Sequence, residues 1–588
     1  MARALITSAP PRVGSRGPAG ARSTGRRWAV LLVAGWLCQA GLRAWFGRMQ
    51  VMPLANPDES AYLIAARVLA GGPDIDLSGS TLYQGGYPLL ITPVYWFTSN
   101  PVTIYHAVLL INAAISAAVL PLGYLACRRL GLDRPAAYGL ATVAALVPAG
   151  FFYSEYAMTD AVYPVITLAW LLATHSWLTA SSARGRYAAA AGSAALTGYA
   201  YAIHSRGLVM LAGYAAVGAF IAWRRPVARG SVAAAALTAM VTAGGGWILN
   251  RYVASAMYPE GTRSLSDQMR TRLASVHGTI HVFEMAAGQL WRLVLDSWGI
   301  AGIGLVAALA VIAHRGRGPG TDLRIMAGLS VAVTAVIGCT APAALPSDHP
   351  QTWASGRYLD GMIIVFFLAG GVVLLRASVR SILACAACTA GLFVVAAVTV
   401  AIYAGSSLPT ARFSGGFNFA EPAVLTQDWT QASVLLATAV TLGLLATWIG
   451  FALAARRRRA FLLAFWVCVA AVSLLAVAQM TSHVSQAATA QARTATALVS
   501  ASGLKPGDQV AVDSGVSWEL WVPQAFEIPW TELQFYDPAS QPPPAGVTVV
   551  ETLWPAGQPT QASWPHAPAG WRVVASDRDS GLVAWRKA

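Results

Sequence analysis

Charge is scarce in this chain. Only 11% of its 588 residues are charged and 56% are hydrophobic, far from the composition of a water-soluble domain. A soluble enzyme or binding module is excluded, and a polytopic membrane protein is left. Lysine is almost missing: of 40 basic residues only Lys505 and Lys587 are not arginine. The net charge of +15 therefore rests on arginines, which stand in short clusters between hydrophobic runs. That is the pattern of cytoplasmic membrane loops, and such loops are too short to build the basic face that nucleic-acid binding requires.

Cysteine is sparse as well. Cys38, Cys127, Cys339, Cys385, Cys388 and Cys468 all lie within or at the ends of hydrophobic runs and read as small apolar packing residues. The extracytoplasmic stretches hold none, which excludes disulfides there. Cys385 and Cys388 form a CxxC with no His or acid beside it and no βαβ pattern around it, so neither zinc nor thiol redox chemistry is indicated.

What remains is hydrophobic length. Residues 1–27 are rich in Pro, Gly and Arg without apolar periodicity and are expected to be a disordered basic cytoplasmic tail. The run 28–46 has no small-residue cleavage site after it and reads as an uncleaved first helix. Further spans fall near 101–126, 136–153, 160–180, 187–204, 207–223, 231–250, 297–314, 325–345, 361–376, 381–404, 432–455 and 460–479, about thirteen in all. With the N-terminus inside, one topology puts Arg128, Arg129, Arg134, Arg184, Arg186, Arg224, Arg225, Arg229, Arg315, Arg317, Arg324, Arg376, Arg380 and Arg456 to Arg459 in the cytoplasm.

The acids distribute the other way. Before residue 480 only Asp133 and Asp322 fall inside, while Asp58, Glu59, Asp74, Asp76, Glu155, Asp160, Glu260, Asp267, Glu284, Asp296, Asp348, Asp360, Glu421 and Asp428 fall at or beyond the outer face. The chemistry is therefore expected outside. Three outer loops are long, 47–100, 251–296 and 405–431, and 263–298 alternates apolar and basic residues as an interfacial helix does. Residues 28–480 form the membrane domain. Residues 481–588 form a small extracytoplasmic α/β domain whose strands are QVAVDS, VTVVETLW, WRVVASD and LVAWRK. Its Trp518, Trp521, Trp530 and Trp571 either bind an acceptor glycan or form its core.

The first outer loop carries the densest signal. Asn56-Pro57-Asp58-Glu59 is a helix start, with Asn56 as N-cap, Pro57 in the first position, Glu59 at the capping-box position and Gly71-Gly72 as the stop. Helix capping alone accounts for both acids. The helix PDExxYLxxARxLxxG is followed by YQGGYPLLITP, which returns to the membrane. Two further stretches stand out: VPAGFFYSEYAMTDAVYPVITLAWL at 147–171, and DHPQTWASGRYLDGM at 348–362.

Together these three stretches resemble the GT-C superfamily of integral-membrane glycosyltransferases, especially the protein mannosyltransferase and aminoarabinose transferase branches and related actinobacterial arabinofuranosyl- and mannosyltransferases. The resemblance spans roughly 28–480. It implies a polytopic α-helical membrane protein of GT-C-like fold with a small C-terminal extracytoplasmic α/β domain. It implies Asp58 as general base with Glu59 beside it, an active-site acid from Glu155 or Asp160, and Arg357 with Tyr358 in the (G)RY element. Here Asp360-Gly361 replaces the usual proline.

The residue types suit the reaction. An acceptor hydroxyl attacking the anomeric carbon of a polyprenyl-phosphate sugar needs a carboxylate to accept its proton, and the departing lipid phosphate needs the positive charge that Arg357 or Arg206 supplies. Tyr62, Tyr87 and His204 are expected to shape the loops or the acceptor side. Inverting, metal-independent transfer without a cofactor is expected, to a cell-wall glycan, lipid or protein. His277 and His281 have helical i, i+4 spacing but no nearby third ligand. Blander readings stand beside these: Glu155 as a solvated turn acid, Asp160 as a helix cap, Arg357 as an interfacial anchor, His204 with Arg206 as a polar turn. A lipid-linked-sugar transporter would show repeats and polar midplane helices, and neither is seen. A catalytically inactive GT-C-like assembly subunit would keep the same acids as caps.

Overall fold

The computed structural model describes residues 18–588 apart from 56, 225–227, 315–319, 345–352, 406–416, 459, 490–501, 505–507 and 528–532. Residues 1–17 of the expected tail, the N-cap Asn56, and Trp530 lie outside the described residues. The first helix begins at Pro18, inside the stretch expected to be disordered, and runs to Gly47.

Each of the thirteen expected spans is helical. Among the described residues nine helices are each long and apolar enough to cross a membrane, and two more spans arise as bent pairs. Arg134–Ala144 meets Pro148–Glu155 at 72°, and Val276–Leu295 meets Ile300–Ala313 at 114°. The second bend is made by Trp298 and Gly299, whose φ values of 55° and 86° reverse the chain in a conformation helices do not adopt. Tyr163–Thr179 is only 17 residues long, and Ala183–Ile203 is diluted by Arg184, Arg186 and several hydroxyls.

These helices pack where side chains are small. Gly304 and Gly370 face each other so closely that an added Cβ on either would lie 2.0 Å from the opposite backbone. With no hydrophobic drive between helices in lipid, such backbone approach is what makes dispersion sufficient. Three buried tryptophans satisfy their N–H groups with hydroxyls: Trp177 with Ser231 at 3.1 Å, Trp291 with Thr438 at 2.9 Å and Trp298 with Ser473 at 3.0 Å. The outward faces are apolar, with Leu37, Leu237, Met240, Val395 and Ile402 exposed. The arginine-bearing ends meet at one end of the bundle, where Arg376 reaches the carbonyl of Leu130 at 3.2 Å, Arg456 that of Ala377 and Arg129 that of Leu172. The chain is a multi-pass membrane protein. Of the second long loop, Leu265–Leu273 has no buried residue, whereas Val276–Leu295 buries one face, including Met285, Trp291 and Arg292, and packs with the bundle.

The C-terminal domain is a five-stranded sheet: β1 Val510–Asp513, β2 Leu533–Tyr536, β3 Val549–Leu553, β4 Trp571–Asp577 and β5 Leu582–Lys587, in the order β2-β1-β3-β5-β4. The first three are parallel and the last two antiparallel. Four strands coincide with the expected ones, and β2 was not foreseen. The helix Trp518–Glu527 does not face solvent. It lies on the loop helix Asp58–Leu69, where Arg67 donates to Ala525 O at 3.2 Å and to Pro73 O at 3.0 Å. Ala525 and Trp521 pack there with Ala61, Ile64, Ala65 and Val68, and Phe526 meets Tyr105 with ring centres 6.4 Å apart. Trp521 is therefore packing, and Trp571 stacks edge-on to Trp564 at 5.3 Å.

Glu551 on β3 is a costly residue in this domain's core. It is fully buried, and neither carboxylate oxygen has a hydrogen-bond partner among the described residues. Burial pushes its carboxyl up from 4.5 to about 7. The folded state thus holds a proton that the unfolded chain releases, and stability falls as pH rises from the unfolded value through about 7, by on the order of 3 kcal/mol. Full-length protein is expected to melt lower at about pH 8 than at about pH 5, with Glu551→Gln flattening that dependence in thermal scans. Identical pH slopes for the two proteins would show that this carboxyl is compensated.

Candidate active site

The loop helix Asp58–Leu69 starts with its two acids pointing to different neighbourhoods. Glu59 is fully buried. One carboxylate oxygen accepts from Leu54 N at 2.6 Å and Ala55 N at 2.8 Å, and the other from Tyr105 Oη at 2.7 Å and Ala157 N at 2.6 Å. Burial pushes its carboxyl above the ordinary range, and the four donors pull it back. Glu59 is the knot that ties the chain before the helix, the membrane helix Pro101–Ser116 and the 152–161 turn into one layer. In Glu59→Gln an amide with a single acceptor oxygen turns N–H groups toward backbone N–H donors. A loss of about 1–3 kcal/mol is expected, read as a lowered melting temperature in detergent; an unchanged one would contradict the assignment.

Asp58 is partly open to solvent, its side chain 32% exposed. Oδ1 accepts from Tyr83 Oη at 2.9 Å and Oδ2 pairs with Arg357 Nη2 at 2.9 Å. Burial pushes the Tyr83 phenol well up, with the nearby Asp58 charge adding to the rise, so Tyr83 stays a donor. The same Arg357 Nη2 lies 3.5 Å from Asp160 Oδ2. Asp160 Oδ1 pairs in turn with Arg206 Nη2 at 3.3 Å. Arg206 locks the second arginine in place by donating to the carbonyls of Arg357 at 2.8 Å and Tyr358 at 3.1 Å. Each guanidinium rests on a ring, Arg206 on Tyr163 at 4.6 Å and Arg357 on Phe417 at 5.0 Å. Asp58, Arg357, Asp160 and Arg206 thus form one continuous ionic chain, from four segments far apart in sequence.

The other expected residues take different places. His204 ends its helix and its Nδ1 accepts from Arg206 N at 3.2 Å. Tyr62 packs edge-on against Tyr83 at 5.3 Å and Tyr87 at 5.4 Å, and Tyr87 donates to Asn112 Oδ1 at 3.1 Å. Tyr358 follows Arg357 in the short turn Arg357–Leu359. Glu155 is buried rather than a solvated turn acid, and it bonds elsewhere: Gln50 Nε2 at 2.8 Å and Thr481 Oγ1 at 2.9 Å. Among the described residues no hydrogen bond or ion pair joins it to the Asp58 chain. The turn after it carries Asp160 instead, because the backbone bends between Tyr156 and Thr159 and sends the two acids to opposite sides.

Two groups escaped the sequence reading. Tyr83 lies in the TLYQGGY return stretch, where only its position invited attention. Arg292, Asp296 and Glu421 form a second, fully buried ionic group, with Arg292 Nε 2.9 Å from Asp296 Oδ1 and its Nη2 on Glu421. Gly356 is required beside it, since a Cβ there would lie 2.1 Å from Asp296 Oδ2. Arg292 Nη1 also donates to Asn418 O at 2.7 Å. This group fixes the third long loop and the 353–359 turn that delivers Arg357. Among the described residues no set of three His, Cys, Asp or Glu side chains is placed to hold a metal ion; His281 pairs with Glu284 at 3.2 Å.

No protein-family model and no curated protein matches the chain. Its fold does match solved structures. Crystal structures of ArnT from Cupriavidus metallidurans align over nearly the whole length of both chains. The form bound to undecaprenyl phosphate gives a TM-score of 0.55 at 15% identity, covering 95% of this chain and 98% of that one. The apo form gives 0.53 at 16% identity, covering 96% and 98%. The chain thus shares the ArnT membrane fold over nearly its whole length.

Proposed function

We propose that this protein is a glycosyltransferase that takes a sugar from a polyprenyl-phosphate donor and passes it, with inversion, to an acceptor hydroxyl. The observation that carries the reading is the pairing of the exposed Asp58 with Arg357 at 2.9 Å inside a fold shared with a protein that binds undecaprenyl phosphate. The acceptor oxygen attacks the anomeric carbon from the face opposite the phosphate. Asp58 takes its proton as the new glycosidic bond forms and the bond from the anomeric carbon to the phosphate oxygen breaks. The departing lipid phosphate keeps the electron pair and is stabilised by Arg357, with Arg206 behind it.

The arginine distribution supports a cytoplasmic N-terminus, a reaction at the outer face and an extracytoplasmic C-terminal domain. The nearly lysine-free, Arg-, Ala- and Gly-rich sequence supports a high-GC actinobacterial source and, with it, a cell-wall glycan, lipid or protein as acceptor. Glu155, by its bonds, serves the loop scaffold, and Asp160 serves the arginines. Transfer of radiolabelled sugar from a panel of polyprenyl-phosphate donors in membranes is expected from the wild-type protein. No transfer from any of them would reject the reading.

A further inference from the structure

The arrangement of Arg357 raises a question that the reaction scheme leaves open. The ionic chain holds two carboxylates, Asp58 and Asp160, and two guanidinia, Arg206 and Arg357, so it is neutral. Within this chain of four, an anionic donor phosphate finds no spare positive charge and gains a partner by displacing a carboxylate. The two arginines are not equally available. Arg206 is committed to two backbone carbonyls and to Asp160, with only 5% of its side chain exposed. Arg357 spends a single nitrogen, Nη2, on Asp58, on Asp160 and on Met158 Sδ at 3.4 Å, while its buried Nε has no partner among the described residues. The Asp58 end is also the accessible one, since Asp58 is 32% exposed and Asp160 3%.

Resting on the glycosyltransferase reading, we propose that Asp58 and the donor phosphate compete for Arg357, so that the resting ion pair is a latch which the incoming lipid phosphate opens, freeing the base. Only the Asp58 side of this pair is open, 32% exposed against 11% for Arg357, so the guanidinium needs an anionic partner throughout, and a phosphate bound through two of its nitrogens can replace the carboxylate. Arg206 holds the backbone of residues 357 and 358 while the side chain pivots. Asp160, between both arginines, keeps Arg357 in reach during the exchange. No proton moves in this step. Its consequence is order: Asp58 Oδ2, held by Arg357 at rest, is free to meet the acceptor hydroxyl only once donor phosphate is present. Tyr83, still donating to Asp58 Oδ1, keeps the freed carboxylate aimed.

The test is equilibrium binding of a labelled polyprenyl monophosphate to full-length protein in detergent, which reads the latch without catalysis. Asp58→Asn is expected to bind it about 3- to 10-fold more tightly than wild type, because the competitor is gone. The gain is expected to disappear when Arg357→Gln is already present. Equal or weaker binding by Asp58→Asn overturns the latch. So does a gain that persists in the Arg357→Gln background, since that is plain charge repulsion. Sugar transfer by the same Asp58→Asn sample separates the two ideas: tighter binding with full activity keeps the latch and removes Asp58 as base. Absence of lipid-phosphate binding in wild type and variant alike sinks both.

Discussion

Asp58→Asn is expected to lower the turnover of sugar transfer by about 10²- to 10⁴-fold with the protein still folded. The amide is the same size as the carboxylate, and its oxygen can take the hydrogen bond that Tyr83 now gives at 2.9 Å. What it cannot do is accept the acceptor's proton. Fold and stability should survive, because Asp58 is partly exposed and Arg357 keeps a second carboxylate, Asp160, at 3.5 Å when Asp58 is neutralised. The loss should therefore appear in kcat, with the acceptor KM little changed, as expected when an interaction made only in the transition state is removed. Initial rates with a polyprenyl-phosphate donor, alongside a melting curve, distinguish this from misfolding. Wild-type turnover in the variant would remove Asp58 from the mechanism.

Arg292→Met is expected to have the largest structural effect of any substitution near the site. Arg292, Asp296 and Glu421 are all 0% exposed in their side chains. Removing the arginine strands two carboxylates out of reach of water, at a cost of about 3–5 kcal/mol. Because Arg292 also holds Asn418 O and packs against the glycine that precedes Arg357, the loss should reach the site and lower both melting temperature and transfer. Replacing all three residues by apolar ones of similar volume is expected to recover most of the melting temperature, since exchanging a whole buried ion group is commonly neutral or stabilising. A single variant as stable as wild type would show that water reaches the group.

The two acids that open the loop helix illustrate how unevenly the site can be read. The sequence places Asp58 and Glu59 side by side, and neighbouring residues on a helix differ by about 100° in direction. That turn sends Glu59 into four hydrogen-bond donors and Asp58 toward Arg357. Glu155 and Asp160 divide in the same manner across their turn. Tyr83 carried no sequence signal beyond its type, because its partner is 25 residues away; Arg292 stands four residues before Asp296 on one helix, a spacing that marks an ion pair, but Glu421, 129 residues on, does not show in it. Strand β2 is no shorter than β1, but Leu533-Gln534-Phe535-Tyr536 has no β-branched residue and a glutamine inside it, so it lacks the strand signal that Val510-Ala511-Val512 carries.

Sequence alone determined the class of this protein and its layout. Hydrophobic length dictates membrane spans, because an unpaired backbone cannot sit in lipid, and alternating strands after the last span dictate a separate sheet domain. Those are local consequences of composition and period, which a linear reading captures. Which acids join the arginines in one ionic chain was decided only by the tertiary structure. Ionic partners are chosen by burial and proximity between segments: Arg357 lies 299 residues from Asp58, and each carboxylate taken from water had to find whichever donor the fold placed beside it.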